Sequence, residues 1–167
     1  MSLRIIATGG TFDKHYDEIE GKLAFDSGHL PQVIRRARMT VPVQLEELPL
    51  LDSLDMNDAD RQRILACCLR ADEKSIIVVH GTDTMKETAE VLGAAQLPKT
   101  IVLTGAMIPY EVKNSDALFN FGFACGVAQV LAPGVYIAMN AKVFAWDKVR
   151  KNRSAGLFEP STGVAPI

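Results

Sequence analysis

Two short aliphatic runs, Arg4-Ile5-Ile6-Ala7 and Ile76-Ile77-Val78-Val79, each lead into a glycine–threonine turn, and they narrow the choice of fold more than any other feature. Runs this uniformly apolar and β-branched suit strands covered on both faces, the usual condition of a parallel sheet. The turns that follow are Thr8-Gly9-Gly10-Thr11 and His80-Gly81-Thr82-Asp83-Thr84. In an open α/β sheet the strand ends that feed such loops lie along one edge, so two hydroxyl-bearing turns there can converge on one ligand.

The rest of the chain repeats the alternation. Five apolar runs predict strands: Leu3 to Ala7, Val41 to Leu48, Ser75 to Val79, Thr100 to Leu103 and Val135 to Met139. Helical segments separate most of them: Pro31 to Met39, Asn57 or Asp58 to Leu69, a third from Thr84, and a fourth from about Asn114 to Leu131. In the second, Ile64, Leu65, Cys68 and Leu69 share a face at helical spacing. In the third, Thr84 and Glu87 have the spacing of a capping box, with Met85, Thr88, Ala89 and Leu92 as an inward stripe. Strands alternating with helices predict a three-layer, doubly wound, mostly parallel α/β sheet in one domain over residues 1–167, Rossmann-like or flavodoxin-like. From residue 139 the pattern gives way to mixed charges and aromatics, read as an irregular segment contributing to a site or to oligomer contacts.

Bulk properties remove several classes. A chain of 167 residues with 48% apolar residues can bury a single sizeable core, and its net charge of −2 leaves no basic footprint for nucleic acid. No stretch approaches the roughly 18 apolar residues of a membrane span, and Met1-Ser2-Leu3-Arg4 runs straight into the first strand without the parts of a signal peptide. The expectation is a cytoplasmic protein without nucleic-acid or membrane partners. Cys67, Cys68 and Cys125 lack metal-ligand spacing and read as buried free thiols, so no metal site is expected.

The glycines of the first turn allow a sharp bend and a close approach to a ligand, which places Thr11 just beyond a strand end. A threonine hydroxyl there is a candidate nucleophile if a neighbouring base activates it. On its own the motif reads first as a tight turn whose hydroxyls satisfy the backbone. The second turn adds a helix N-terminus behind Thr82 and Asp83, where free N–H groups attract a carboxylate or a developing oxyanion. Asp83 can cap that helix or bind a substrate ammonium. Neither a dinucleotide fingerprint nor a phosphate-binding P-loop is present.

The segments Ile6-Ala7-Thr8-Gly9-Gly10-Thr11 and Val79-His80-Gly81-Thr82-Asp83-Thr84-Met85 closely resemble the two signatures of bacterial-type L-asparaginases. The resemblance continues, in family order, through Asp52-Ser53-Leu54-Asp55-Met56-Asn57, Thr104-Gly105-Ala106-Met107-Ile108-Pro109, Asp116, Phe119-Asn120 and Met139-Asn140, covering nearly the whole chain. It is closest to the shortened, single-domain members. By that resemblance Thr11 matches the nucleophilic threonine, and Thr82, Asp83 and a downstream lysine match a second catalytic cluster. Counting onward from Asn140 without a gap puts that lysine at Lys151, with Lys148 as the fallback. Ser53 matches the serine that binds the substrate α-carboxylate, Asp83 the acid that takes the α-amino group, and Tyr16, more loosely, the tyrosine of a lid.

The resemblance implies hydrolysis of the side-chain amide of L-asparagine to L-aspartate and ammonia, without cofactor. Backbone N–H groups near Gly10 or Gly81 are candidate donors for the oxyanion. His80 has no role in the family mechanism and reads as structural. Two departures stand out. The chain stops before the second domain that typical members use to complete a neighbouring site, which implies a homo-oligomer, dimer or tetramer. Leu54 occupies a position where many members carry glutamine. Glutamine stays open as a second substrate, since one methylene is worth only about 1–3 kcal/mol of discrimination. Two other functions fit the same residues: a catalytically weak sensor of asparagine or aspartate, and an amidase feeding ammonia to a partner as in tRNA amidotransferases.

Overall fold

A computed structural model describes residues 1–161 and 167. Its centre is a six-stranded sheet built from β1 (Leu3–Gly9), β4 (Val43–Leu51), β5 (Ser75–Val79), β6 (Thr100–Thr104), β7 (Gly134–Met139) and β8 (Lys142–Ala145). The spatial order is β4-β1-β5-β6-β7-β8, with every pairing parallel except the last. Two small hairpins stand outside it: β2 (His15–Asp17) with β3 (Lys22–Ala24), and β9 (Val149–Asn152) with β10 (Leu157–Pro160).

Alternate residues of the central strands enter different cores. Ile76 and Val78 pack with Ile64, Cys67 and Cys68 of α2 (Asp58–Arg70) and with Met85, Ala89 and Leu92 of α3 (Met85–Ala94). Ile77 and Val79 pack with Leu30 and Val33 of α1 (Leu30–Arg36) and with Phe121 and Ala124 of α4 (Ala117–Val127). These four of the five β5 side chains are fully buried, each burial contributing roughly 1.5–3 kcal/mol. This is the expected three-layer architecture. Among the described residues no helix is long and apolar enough to cross a membrane, and the three cysteines are free and buried.

The topology locates a crevice. From β1 the chain adds β4 on one side and then β5 on the other, so the sheet order reverses between β1 and β5, where ligands of open α/β sheets bind. The loops leaving these two strands carry Thr11 and Thr82.

Several local expectations change. The stretch expected to be irregular contains β8, β9 and β10. Asn140 and Ala141, both left-handed at φ 49° and 65°, turn the chain back so that β8 runs antiparallel to β7. The polar loop after Thr11 is a 3-10 turn over Thr11–Asp13 followed by the β2–β3 hairpin. Thr84 precedes α3 without a side-chain cap, because its hydroxyl donates instead to the Ser53 carbonyl at 2.7 Å. The reciprocal capping box belongs to α2, where Asn57 and Asp60 accept each other's backbone N–H groups. The first and fourth helices are shorter than their apolar patterns. The segment before α4 is committed to Asp116, which accepts the N–H groups of Met107 and Ile108.

Candidate active site

Three loops meet at the crevice with no room for side chains between them. Gly10 has φ 75° and ψ −175°, a region essentially reserved for glycine. A Cβ there would lie 2.3 Å from the Gly81 Cα. A Cβ on Gly81 would in turn lie 2.6 Å from the Ser53 Oγ. The first turn, the second turn and the loop after β4 are therefore nested backbone against backbone, and the glycines at these positions set that distance.

The first turn is held from several sides. The Gly10 N–H donates to the Leu51 carbonyl at 2.9 Å, the Asp13 N–H to the Gly10 carbonyl at 3.1 Å, and the Lys14 N–H to the Thr11 carbonyl at 3.3 Å. Phe12 is buried between Tyr110 and Phe121. Thr11 itself remains partly exposed.

The second turn holds the strongest polar cluster. Lys151 Nζ donates to Thr82 Oγ1 at 2.7 Å and to Asp83 Oδ1 at 2.8 Å. Thr82 is buried, and the Lys151 side chain is only 14% exposed, so this pair is shielded more than a surface ion pair. Lys148, the alternative, is exposed in the turn before β9. Lys151 reaches the cluster because the β9–β10 hairpin folds back over α3 and is anchored by Val149 and Phe158 in the core. Arg153, one residue beyond β9, adds a second positive charge 3.7 Å from Asp83.

Beneath this turn, His80 is fully buried, and desolvation pushes its imidazole down to about 4. Its Nδ1 lies 2.7 Å from the Gly81 carbonyl, which can only accept, so Nδ1 carries the proton and Nε2 accepts from the Thr88 hydroxyl at 2.8 Å. A neutral histidine thus braces the Gly81 peptide, a structural role in keeping with its place in the sequence.

Ser53 is buried, and its Oγ accepts the Thr84 N–H at 3.3 Å. Leu54 beside it is 60% exposed and offers no polar contact from its side chain. Asp52 is paired with Lys14. Burial works against the Asp52 carboxylate, yet the Lys14 ammonium, the Leu54 N–H and the charge of Lys151 together hold it below its ordinary value. Tyr16 stands on β2 opposite Leu23, 60% exposed, and is not drawn into the cluster. In the sequence Asp13 and Lys14 read only as part of the polar loop that follows Thr11, and their position directly after that residue is the signal of a closer role. Among the described residues no grouping of His, Cys, Asp or Glu could hold a metal ion.

The arrangement can do definite chemistry. It nests a turn bearing one hydroxyl against a turn bearing a second hydroxyl that is hydrogen-bonded to an amine, ingredients of acyl transfer. Comparison with known proteins points the same way. The family described as "Asparaginase, N-terminal" matches residues 2–159. The L-asparaginase of Thermococcus kodakarensis is 31% identical over 163 residues, which cover 94% of this chain and 49% of the relative. A probable periplasmic L-asparaginase of Haemophilus influenzae is also 31% identical, over 171 residues, covering 93% of this chain and 48% of its own. In structure, the thermostable L-asparaginase from Thermococcus kodakarensis superposes with a TM-score of 0.88 at 29% identity, over 100% of this chain and 53% of that one. A probable cytoplasmic L-asparaginase from Campylobacter jejuni gives 0.82 at 26%, over 99% and 54%. The chain spans about half the length of the curated relatives it matches.

Proposed function

Since the chain belongs to the asparaginase family, we propose that it hydrolyses the side-chain amide of L-asparagine to L-aspartate and ammonia. The observation that carries this reading is the contact of Lys151 Nζ with both Thr82 Oγ1 and Asp83 Oδ1, at 2.7 and 2.8 Å, beside the nested glycine turns. Ser53 takes the substrate α-carboxylate and Asp83 its ammonium, which sets the side-chain amide against the Gly10 and Gly81 turns. Thr11 Oγ attacks the amide carbon, and backbone N–H groups of those turns receive the oxyanion. Lys151, once it has given up a proton, relays protons through the Thr82 hydroxyl and helps ammonia leave. Tyr16 and the β2–β3 hairpin close over the substrate and exclude water.

Residues 1–167 are proposed to act as one domain, within a homo-oligomer that covers the exposed sheet edges, and to work in the cytoplasm. The buried free thiols suit a reducing compartment, and one structural neighbour carries the word cytoplasmic in its name while one relative carries periplasmic.

Ammonia release from asparagine, glutamine and β-aspartyl hydroxamate tests the proposal. Asparagine is expected to be the best substrate, and Thr11→Ala and Thr82→Val each to cost about a hundredfold or more in kcat. Tight binding of asparagine without release of ammonia overturns it in favour of a sensor.

A further inference from the structure

Under the Thr11 turn lies a small polar cluster that the proposed chemistry does not use. Asp13 is fully buried. Its Oδ1 accepts the His29 N–H at 2.8 Å, while Oδ2 has no hydrogen-bond partner among the described residues. His29, buried just ahead of α1, has an Nε2 without a partner among the described residues, and its Nδ1 sits 3.7 Å from Glu111 on the loop after β6. Glu47 of β4 comes in from the third side: a Cβ on Gly28 would lie 2.6 Å from Glu47 Oε1 and 3.8 Å from Asp13 Oδ1. Asp13 therefore faces His29, Glu47 and, through His29, Glu111, with Lys14 next to it in the chain.

A carboxyl in such a place is unfavourable as packing alone. A buried polar atom without a partner forfeits its hydration for nothing in return, and a nearby carboxylate adds to that cost. Burial pushes the Asp13 acid up to about 6, the Glu47 charge adding to the rise and the His29 N–H and ring opposing it. Costs of this kind persist where the group holds something in a required geometry. What Asp13 holds is evident from its position. It is the last residue of the one-turn 3-10 segment that starts at Thr11, and its carboxyl is the side-chain tie from that segment to the start of α1.

We propose that Asp13 is the positioning residue for Thr11: by accepting the His29 N–H it fixes the short turn that presents the threonine hydroxyl to the crevice. This rests on Thr11 acting as nucleophile. The ionised carboxylate makes the stronger, charge-assisted bond to the His29 N–H, so this one tie tightens when Asp13 loses its proton, although burying the charge costs the fold as a whole.

The test compares Asp13→Asn, which keeps an acceptor oxygen for His29, with Asp13→Ala, which removes it, both first checked for native circular dichroism. Asp13→Ala is expected to lower kcat about tenfold or more with KM changed by less than about threefold, and Asp13→Asn to restore kcat to within about threefold of wild type. The wild-type kcat profile should carry an acid limb near pH 6 that Asp13→Asn lacks. Wild-type kcat in a folded Asp13→Ala variant, or an unchanged acid limb in Asp13→Asn, overturns the inference. An independent readout does not need turnover: the Thr11 and His29 amide resonances should titrate together near pH 6 in the wild type and stay still in Asp13→Asn. Amides that do not move overturn the tie whatever the activity. Amides that titrate in a protein releasing no ammonia uphold the tie and overturn the asparaginase reading alone.

Discussion

At the scale of single residues, buried Asp13 and Gly10 carry opposite kinds of cost. The Asp13 carboxyl is raised from its ordinary 3.8 to about 6, so between those values the native state holds more protons than the unfolded chain. Its contribution to stability is present below about pH 3.8 and lost as pH rises through about 6, a swing of roughly 3 kcal/mol. Asp13→Asn should therefore melt above wild type near pH 8 and lose that advantage by about pH 4, as thermal unfolding across pH will record. Gly10 has no such trade. Gly10→Ala sets a methyl 2.3 Å from the Gly81 Cα at φ 75°, so it should lower stability by at least about 1–3 kcal/mol of backbone strain and abolish ammonia release. Most of the candidate site is legible at this scale because its side chains sit inside short, specific motifs: Thr11, Ser53, Thr82 and Asp83 are each within two residues of a diagnostic glycine or aspartate. Asp13 and His29 were not, because a buried carboxyl looks in sequence like any polar residue of a loop.

Among the elements, the buried strands were read with near-correct bounds while the C-terminal hairpin was missed. Ser75–Val79 and Thr100–Thr104 are buried throughout, so their sequences are almost purely apolar or β-branched. Val149-Arg150-Lys151-Asn152 buries only Val149 fully and carries two cations, which hides a strand from any hydrophobic pattern. Gly156, left-handed at φ 63°, was the remaining sign of its turn. Yet this hairpin brings the amine to Thr82. Phe158 lies directly opposite Lys151 and is buried in the core, so it fixes the strand on which the lysine stands. Phe158→Ala should destabilise by about 3–5 kcal/mol. Measured below its melting temperature, the variant should also lose about tenfold or more in kcat as Lys151 drifts from Thr82.

For the whole molecule, the proposed site draws on almost the full span of the chain: Thr11 from the beginning, Thr82 from the middle and Lys151 from beyond the sheet. The contact that joins Lys151 to Thr82 bridges 69 positions in sequence, and contacts between distant positions form late because the intervening loop must first be closed. The hairpin is a separate two-stranded sheet with no strand of its own in the central one. Refolding from denaturant should accordingly regain helical circular dichroism before it regains ammonia release, and equal rates for both signals would show the hairpin docking with the sheet. A clasp of this kind, seated only after the sheet has formed, leaves a half-refolded chain with its core complete but without the amine beside Thr82 on which the proposed hydrolysis depends.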